Sequence, residues 1–173
     1  MTNDIKKRFI QQITTHQNII HKICHFYCYN TNDKRDLYQE IMLQLWKSFP
    51  SFQGRSALAT WIYRVALNTA ISQKVKKQDF VDIESQQLLI LNDQAEKLEQ
   101  EEELRILYTA ISKLNKLEKA VILLWLDDNS YEEIAKIMGL SVKNISVKLV
   151  RIRKKLSEII RDIEKHEWQF KQI

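Results

Sequence analysis

Histidine and cysteine side chains recur in the segment HKICHFYC, near the start of the chain. His21 and His25 are four residues apart, as are Cys24 and Cys28, so each pair falls on one face of a helix. Imidazole nitrogen and thiolate sulfur are ligands that zinc prefers. Cys24 and His25 lie about 100° apart around a helix, and one helix would be strained to present all four ligands tetrahedrally. We therefore expect no metal site and two buried apolar cysteines, with a metal- or redox-sensing regulator as an alternative.

A second chemical feature is a helical segment from Ser141 to Lys155 that is rich in cations. Apolar residues recur inside it at helical spacing, and it contains no acidic residue. Its six basic side chains are Lys143, Lys148, Arg151, Arg153, Lys154 and Lys155. This pattern predicts an amphipathic helix whose exposed face meets a polyanion.

The residues before this helix predict how it is positioned. Ser130 and Glu133 form a capping-box pattern at the start of a short helix. Gly139 suits a left-handed C-terminal cap, and Ser141 can cap the basic helix that follows. Ala135 is small enough for two helices to cross closely, and Ile145 would pack beneath that crossing. Together these signals predict a helix-turn-helix.

The predicted helix-turn-helix spans Ser130 to Val150, and its second helix has an inner and an outer face. The residues expected to point inward are Val142, Ile145, Leu149 and Ile152. The residues expected to face duplex DNA are Lys143, Asn144, Ser146, Val147, Lys148 and Arg151, of which Asn and Lys can read base edges in the major groove. Lys154 and Lys155 come later and are expected to contact phosphates. The alternative is a solvated basic helix with no nucleic-acid partner.

Composition and charge indicate an all-α chain of two small helical domains joined by an acidic linker. Two glycines and one proline in 173 residues argue against a turn-rich β fold. Residues 1–78 carry a net charge of +8, residues 79–103 carry −8, and residues 104–173 carry +5. We therefore place the domains at 1–78 and 104–173, and the linker at 79–103.

Several classes of protein are disfavoured by the same sequence. No nucleophile elbow, phosphate-binding glycine loop or pocket-like carboxylate pair is recognisable, so we expect neither an enzyme nor a cofactor. No apolar run approaches the length of a membrane span, and the N-terminus lacks the apolar core of a secretory signal. Two cysteines without a disulfide pattern fit the reducing cytoplasm.

Two longer motifs carry a family resemblance. DLYQEIMLQLW at 36–46, followed by FPSFQGRSALATWIYRVALNTA at 49–70, resembles region 2 of bacterial RNA polymerase sigma factors of the sigma-70 family. The segment 114–156, which contains the helix-turn-helix, resembles region 4 of that family. The short spacing between the motifs is similar to that of the extracytoplasmic-function (ECF) subfamily. The resemblance implies two helical domains and a non-catalytic factor that binds core RNA polymerase and promoter DNA.

The resemblance also implies roles for particular residues. Asp36, Gln39 and Glu40 share one helix face and match the patch that docks on the clamp helices of the polymerase. Residues matching those that melt and read the −10 element lie in the loop and the helix that follow; they are Gln53, Arg55, Ser56, Trp61, Arg64 and Asn68. An aromatic, a cation and an amide on one face suit single-stranded DNA, although Trp61 could instead be a core residue. Region 4 would read the −35 element.

Some expectations remain open at this point. Many relatives carry an arginine-rich recognition helix, whereas this chain has Ser146 and Lys148 at the matching places, so no −35 consensus can be transferred.

Many ECF factors are held by an anti-sigma factor, and the resemblance implies such a partner here. It also implies a cytoplasmic protein that joins the nucleoid when active. The rival hypothesis is a stand-alone helix-turn-helix regulator, which needs no polymerase.

Overall fold

The computed structural model describes residues 2–54, 56–72 and 96–170, and in these ranges the chain is helical with short connections. In chain order the helices are α1 (Thr2–Thr14), α2 (Gln17–Tyr27), α3 (Thr31–Ser48), a 3₁₀ turn (Phe49–Ser51), α4 (Leu58–Ser72), α5 (Glu96–Ser112), α6 (Lys116–Leu126), α7 (Tyr131–Met138) and α8 (Val142–Phe170). The prediction of an all-α chain is confirmed. No helix in the described part of the chain is long and apolar enough to cross a membrane.

The N-terminal module is a bundle in which α2, α3 and α4 pack on one another. Each helix contributes apolar residues at steps of three and four, as a buried helical stripe requires. The largest of these side chains are fully buried: Ile20, Ile23, Leu37, Ile41, Leu45 and Ile62. Phe9 of α1 closes one end of this core, where its ring meets Trp46 and Phe49 edge-on at centroid distances of 5.0 and 5.2 Å.

Apolar residues recur at helical spacing from Ile5 to Tyr27, but they lie on two helices rather than on one. The chain turns at Thr15 and His16, where the His16 amide donates to the Ile13 carbonyl at 2.9 Å. The turn lets α1 and α2 bury separate apolar faces in the same core, which one straight helix could not do. Helical spacing in the sequence also predicts a helix from about Ala57 to Lys77. The structure begins this helix, α4, at Leu58, and the residues after Ser72 lie outside the described residues.

The C-terminal module confirms the predicted helix-turn-helix signals. Ser130 accepts from the Glu133 amide and Glu133 accepts from the Ser130 amide, which completes the capping box of α7. Gly139 follows with a φ of 66°, and its amide donates to the Ala135 carbonyl. Ala135 and Ile145 are both buried where α7 packs against α8. The turn therefore sets the direction of α8 relative to α7.

One expectation about this module is wrong in detail. Val142, predicted to point inward, is 40% exposed, because it is the first residue of α8 and packing against α7 begins one turn later, at Ile145. The helix α5, which packs against α8, begins at Glu96, inside the segment 79–103 that the charge pattern predicts as the linker, and the bounds of that linker stay a prediction. The remainder of that segment, 79–95, lies outside the described residues.

Replacing Gly139 with alanine tests the role of the turn. A Cβ at this position would meet nothing within 4 Å, so the cost is purely that of a left-handed backbone. We expect a loss of about 1–2 kcal/mol in the free energy of unfolding, measured by urea denaturation. Gly139→Asn is the matched control and should lose less, because asparagine tolerates this conformation. Equal losses in the two variants would contradict this explanation.

Candidate nucleic-acid interface

The outer face of α8 presents the residues that the sequence assigns to duplex DNA. Ser141 caps the helix by accepting from the Asn144 amide at 3.2 Å, which fixes the first turn. Ile145, Leu149 and Ile152 are buried, and this leaves the other side of the helix in solvent. Of the predicted residues Lys143, Asn144, Val147 and Arg151 are exposed, while Ser146 and Lys148 are half-buried at the edges of the face.

The basic residues later in α8 are not equivalent. Lys155 donates to Glu118 of α6 at 2.8 Å, and Arg153 lies over the Trp125 ring, 5.2 Å from its centroid. Both side chains thus help to hold α8 on its own module. Lys154 is exposed and remains available to a phosphate. The phosphate contacts expected of Lys154 and Lys155 stay predictions, and Lys155 also has a carboxylate partner within the chain.

On α4, the three residues predicted for single-stranded DNA share one face. Arg64 and Asn68 are exposed, whereas Trp61 is half-buried. The Trp61 ring packs on Phe52, with the centroids 4.9 Å apart and the planes 33° from parallel, and it lies 6.2 Å from the Phe49 ring. Trp61 therefore anchors the loop before α4, and any base would stack on a ring that is already supported.

The loop itself carries the remaining predicted −10 residues. Gln53 and Ser56 are exposed, while Arg55 lies outside the described residues. Gly54 has a φ of 67°, so the loop backbone is left-handed at this residue. The sequence pattern assigns no role to Phe52. The one feature that could have indicated its contact with Trp61 is that it is itself aromatic and precedes Trp61 by nine positions.

The predicted docking patch lies on the outer side of α3. Asp36 and Gln39 are exposed, and Glu40 is half-buried and accepts from the Gln44 side chain at 2.7 Å. Leu43 was missed by the sequence analysis. It follows Gln39 by four residues and Glu40 by three, which puts it on the same face, and it is 44% exposed. The patch thus combines acidic and amide groups with one apolar side chain.

The cysteine and histidine side chains on α2 and at Cys28, which directly follows it, point in different directions. Cys24 and Cys28 are buried in the core, and burial raises the pKa of the Cys24 thiol to about 12 and that of the Cys28 thiol to about 11. His21 is exposed and stacks on Tyr38 with ring centroids 4.8 Å apart. His25 lies edge-on to Phe26 and Tyr108. Among the described residues, no three potential ligands converge on a metal site.

Both modules match models of known protein families. The family model for Sigma-70 region 2 matches residues 12–80, and the model for Sigma-70 region 4 matches residues 104–156. An ECF RNA polymerase sigma-E factor of Escherichia coli (strain K12) is 32% identical over 146 residues, which cover 77% of this chain and 76% of the relative. The chain belongs to the ECF family of RNA polymerase sigma factors. Its function is that of a transcription initiation factor.

Further comparisons extend the likeness to most of the chain. An ECF RNA polymerase sigma-E factor of Haemophilus influenzae is 29% identical over 172 residues, covering 91% of this sigma factor and 90% of the relative. The solved structure of CnrH in complex with the cytosolic domain of CnrY has a TM-score of 0.64 at 20% identity and covers 91% of this chain and 90% of its own. The structure of the sigma factor RpoE in complex with the anti-sigma factor NepR from Bartonella quintana has a TM-score of 0.61 at 17% identity and covers 90% and 98%.

These comparisons decide between the two function hypotheses. A stand-alone helix-turn-helix regulator would account for the match to residues 104–156 only. The match to residues 12–80 and the long alignments with ECF factors require the N-terminal module as well. The sigma-factor prediction is therefore confirmed, while the individual site residues remain predictions.

Asn68→Ala tests the DNA face of α4. We expect it to reduce promoter opening about tenfold, because an exposed amide that reads a flipped base would be lost. Opening is measured by permanganate reactivity of unpaired thymines in the complex with core polymerase. Gln11→Ala, an exposed amide on α1, is the control and should open DNA normally. Normal opening by Asn68→Ala would remove Asn68 from the proposed site.

Proposed function

We propose that this ECF sigma factor directs core RNA polymerase to promoters through three faces, on α3, α4 and α8. The observation that carries the proposal is that each face is exposed while its helix is anchored by a buried apolar stripe. α3 would dock on the polymerase, α4 would open and read the −10 element, and α8 would read the −35 element. The chemistry of RNA synthesis would remain with the polymerase, with no catalytic group or cofactor in this chain.

The α3 face supports a polymerase contact through its composition. Asp36, Gln39 and Glu40 match the family's docking motif residue by residue, and they stand together on one side of the helix. The bond from Gln44 to Glu40 restrains one carboxylate before any partner arrives, which reduces the side-chain entropy lost on docking. Exposed Leu43 adds apolar area at the edge of the charged patch. In this proposal the clamp helices of the largest polymerase subunit cover this surface.

The α4 face supports contact with unpaired DNA. Trp61 offers an aromatic surface held in place by Phe52, Arg64 offers a cation, and Asn68 offers donor and acceptor groups. Stacking of a base on an aromatic side chain contributes about 1–3 kcal/mol, enough to offset much of the cost of unpairing one base. Gln53, Arg55 and Ser56 would contact the same strand from the preceding loop.

The α8 face supports contact with duplex DNA. Lys143, Asn144, Ser146 and Val147 occupy the first two turns, which enter the major groove in helix-turn-helix proteins. Lys148, Arg151 and Lys154 would contact phosphates or base edges further along the helix. Since each phosphate contact releases counterions, binding should weaken as salt rises.

The proposal extends to the setting in which the chain works. We infer that it acts in the cytoplasm and at the nucleoid, and that an anti-sigma factor holds it when it is inactive. The second inference is supported by the solved RpoE structure, which contains an anti-sigma factor. The assignment of residues 1–78 and 104–173 to two domains remains a prediction of the charge pattern.

Changing Asp36, Gln39 and Glu40 to alanine together tests polymerase docking. We expect core binding to weaken about 100-fold and run-off transcription to be lost, because the charged centre of the interface disappears. The matched control is Ser157→Ala, Glu158→Ala and Asp162→Ala, which removes the same charge from exposed positions on α8. Circular dichroism should show both variants folded. Unchanged core binding by the α3 variant would overturn the docking assignment.

A further inference from the structure

Two exposed valines stand on the DNA-facing side of α8. Val147 is 44% exposed and Val150 is 65% exposed. Among the large apolar side chains in the described part of the chain, that of Val150 is the most exposed. The helical repeat places Val147 opposite Ile145 and Leu149, which are 0% and 1% exposed, and it places Val150 about 60° from Val147 on the outward side. Packing within the chain therefore does not explain their apolar character.

The surroundings of these valines identify the kind of partner that covers them. Lys143, Arg151 and Lys154 lie on the same outward side of the helix and are exposed, and no acidic residue occurs from Ser141 to Lys155. A protein partner that covered the valines would also have to neutralise this charge. Duplex DNA does both at once, because phosphates flank the groove and the groove floor offers one apolar group, the C5-methyl of thymine.

We propose that Val147 and Val150 read thymine methyl groups in the −35 element, so that this factor selects A·T pairs in the groove next to them. The proposal rests on the function proposed for α8 and deepens it. Asn144 lies at the same end of the helix and is exposed, and an asparagine amide pairs bidentately with adenine. Half-buried Ser146 offers no bidentate contact to guanine, which agrees with a preference for A·T over G·C.

Removing a single methyl group from the DNA tests this proposal directly. The complex of the sigma factor with core polymerase first selects active promoters from a library with a randomised −35 segment. Each selected thymine is then replaced by deoxyuridine, which has the same hydrogen-bonding groups and lacks only the methyl. We expect at least one replacement to reduce binding about fourfold, the effect of about one buried methyl.

The protein variants link that loss to the two valines. With Val147→Ala and Val150→Ala, thymine and deoxyuridine templates should bind equally. The matched control Val142→Ala removes an exposed valine from the flank of the same helix and should keep the discrimination. Equal binding of both bases by the unchanged protein, or unchanged discrimination by the double variant, would overturn the proposal. Absence of transcription from every library member would instead contradict the proposed function.

Discussion

Burial of one face of α8 is the constraint on which the DNA-reading surface depends. Ile145, Leu149 and Ile152 pack against the rest of the module, and full burial of each such side chain contributes about 1.5–3 kcal/mol. This burial outweighs any single cap or surface ion pair. Because the helix cannot rotate without exposing these residues, the side chains on its other face point in a fixed direction. The left-handed turn at Gly139 fixes where that face begins.

The same division between an anchored and an exposed face recurs on α3 and α4. In α3 the buried stripe of Leu37, Ile41 and Leu45 leaves the acidic patch outside. In α4 the buried residues Ile62 and Ala66 leave Arg64 and Asn68 outside. Most of the proposed contacts thereby lie on three anchored helices, with the loop before α4 as the exception, which suits a factor that must register two DNA elements and a polymerase at once.

The sequence predicts these faces well because each depends on local spacing. The capping box at Ser130, the left-handed Gly139 and the burial of Ile145 follow from rules that act within a few residues. Features that depend on distant parts of the chain were missed. The turn at Thr15 and His16 exists because two helices share one core, and the bond between Tyr63 and Asp127 joins residues 64 positions apart. No periodicity in the sequence reports such contacts.

The exposure of individual side chains identifies surface residues that their spacing in the sequence does not predict. Leu43 and Val150 are ordinary helix residues in the sequence, and the roles that we propose for them rest on their position on an open face. Val142 shows the converse, because its spacing predicted burial, whereas its place at the first turn of α8 leaves it exposed. Helix ends are where such errors arise, since a neighbour on only one side leaves part of the stripe uncovered.

The most direct test of the account is to map which bases the two modules touch in one complex. A photo-crosslinking residue is placed at Asn68 or at Lys143, and crosslinked positions are read on a promoter bound by the factor and core polymerase. We predict that Asn68 crosslinks to unpaired −10 bases and that Lys143 crosslinks to duplex about 25 base pairs upstream. We also predict that crosslinking at Asn68 requires core polymerase. Crosslinks from both positions within the same few base pairs, or equally strong without polymerase, would contradict it.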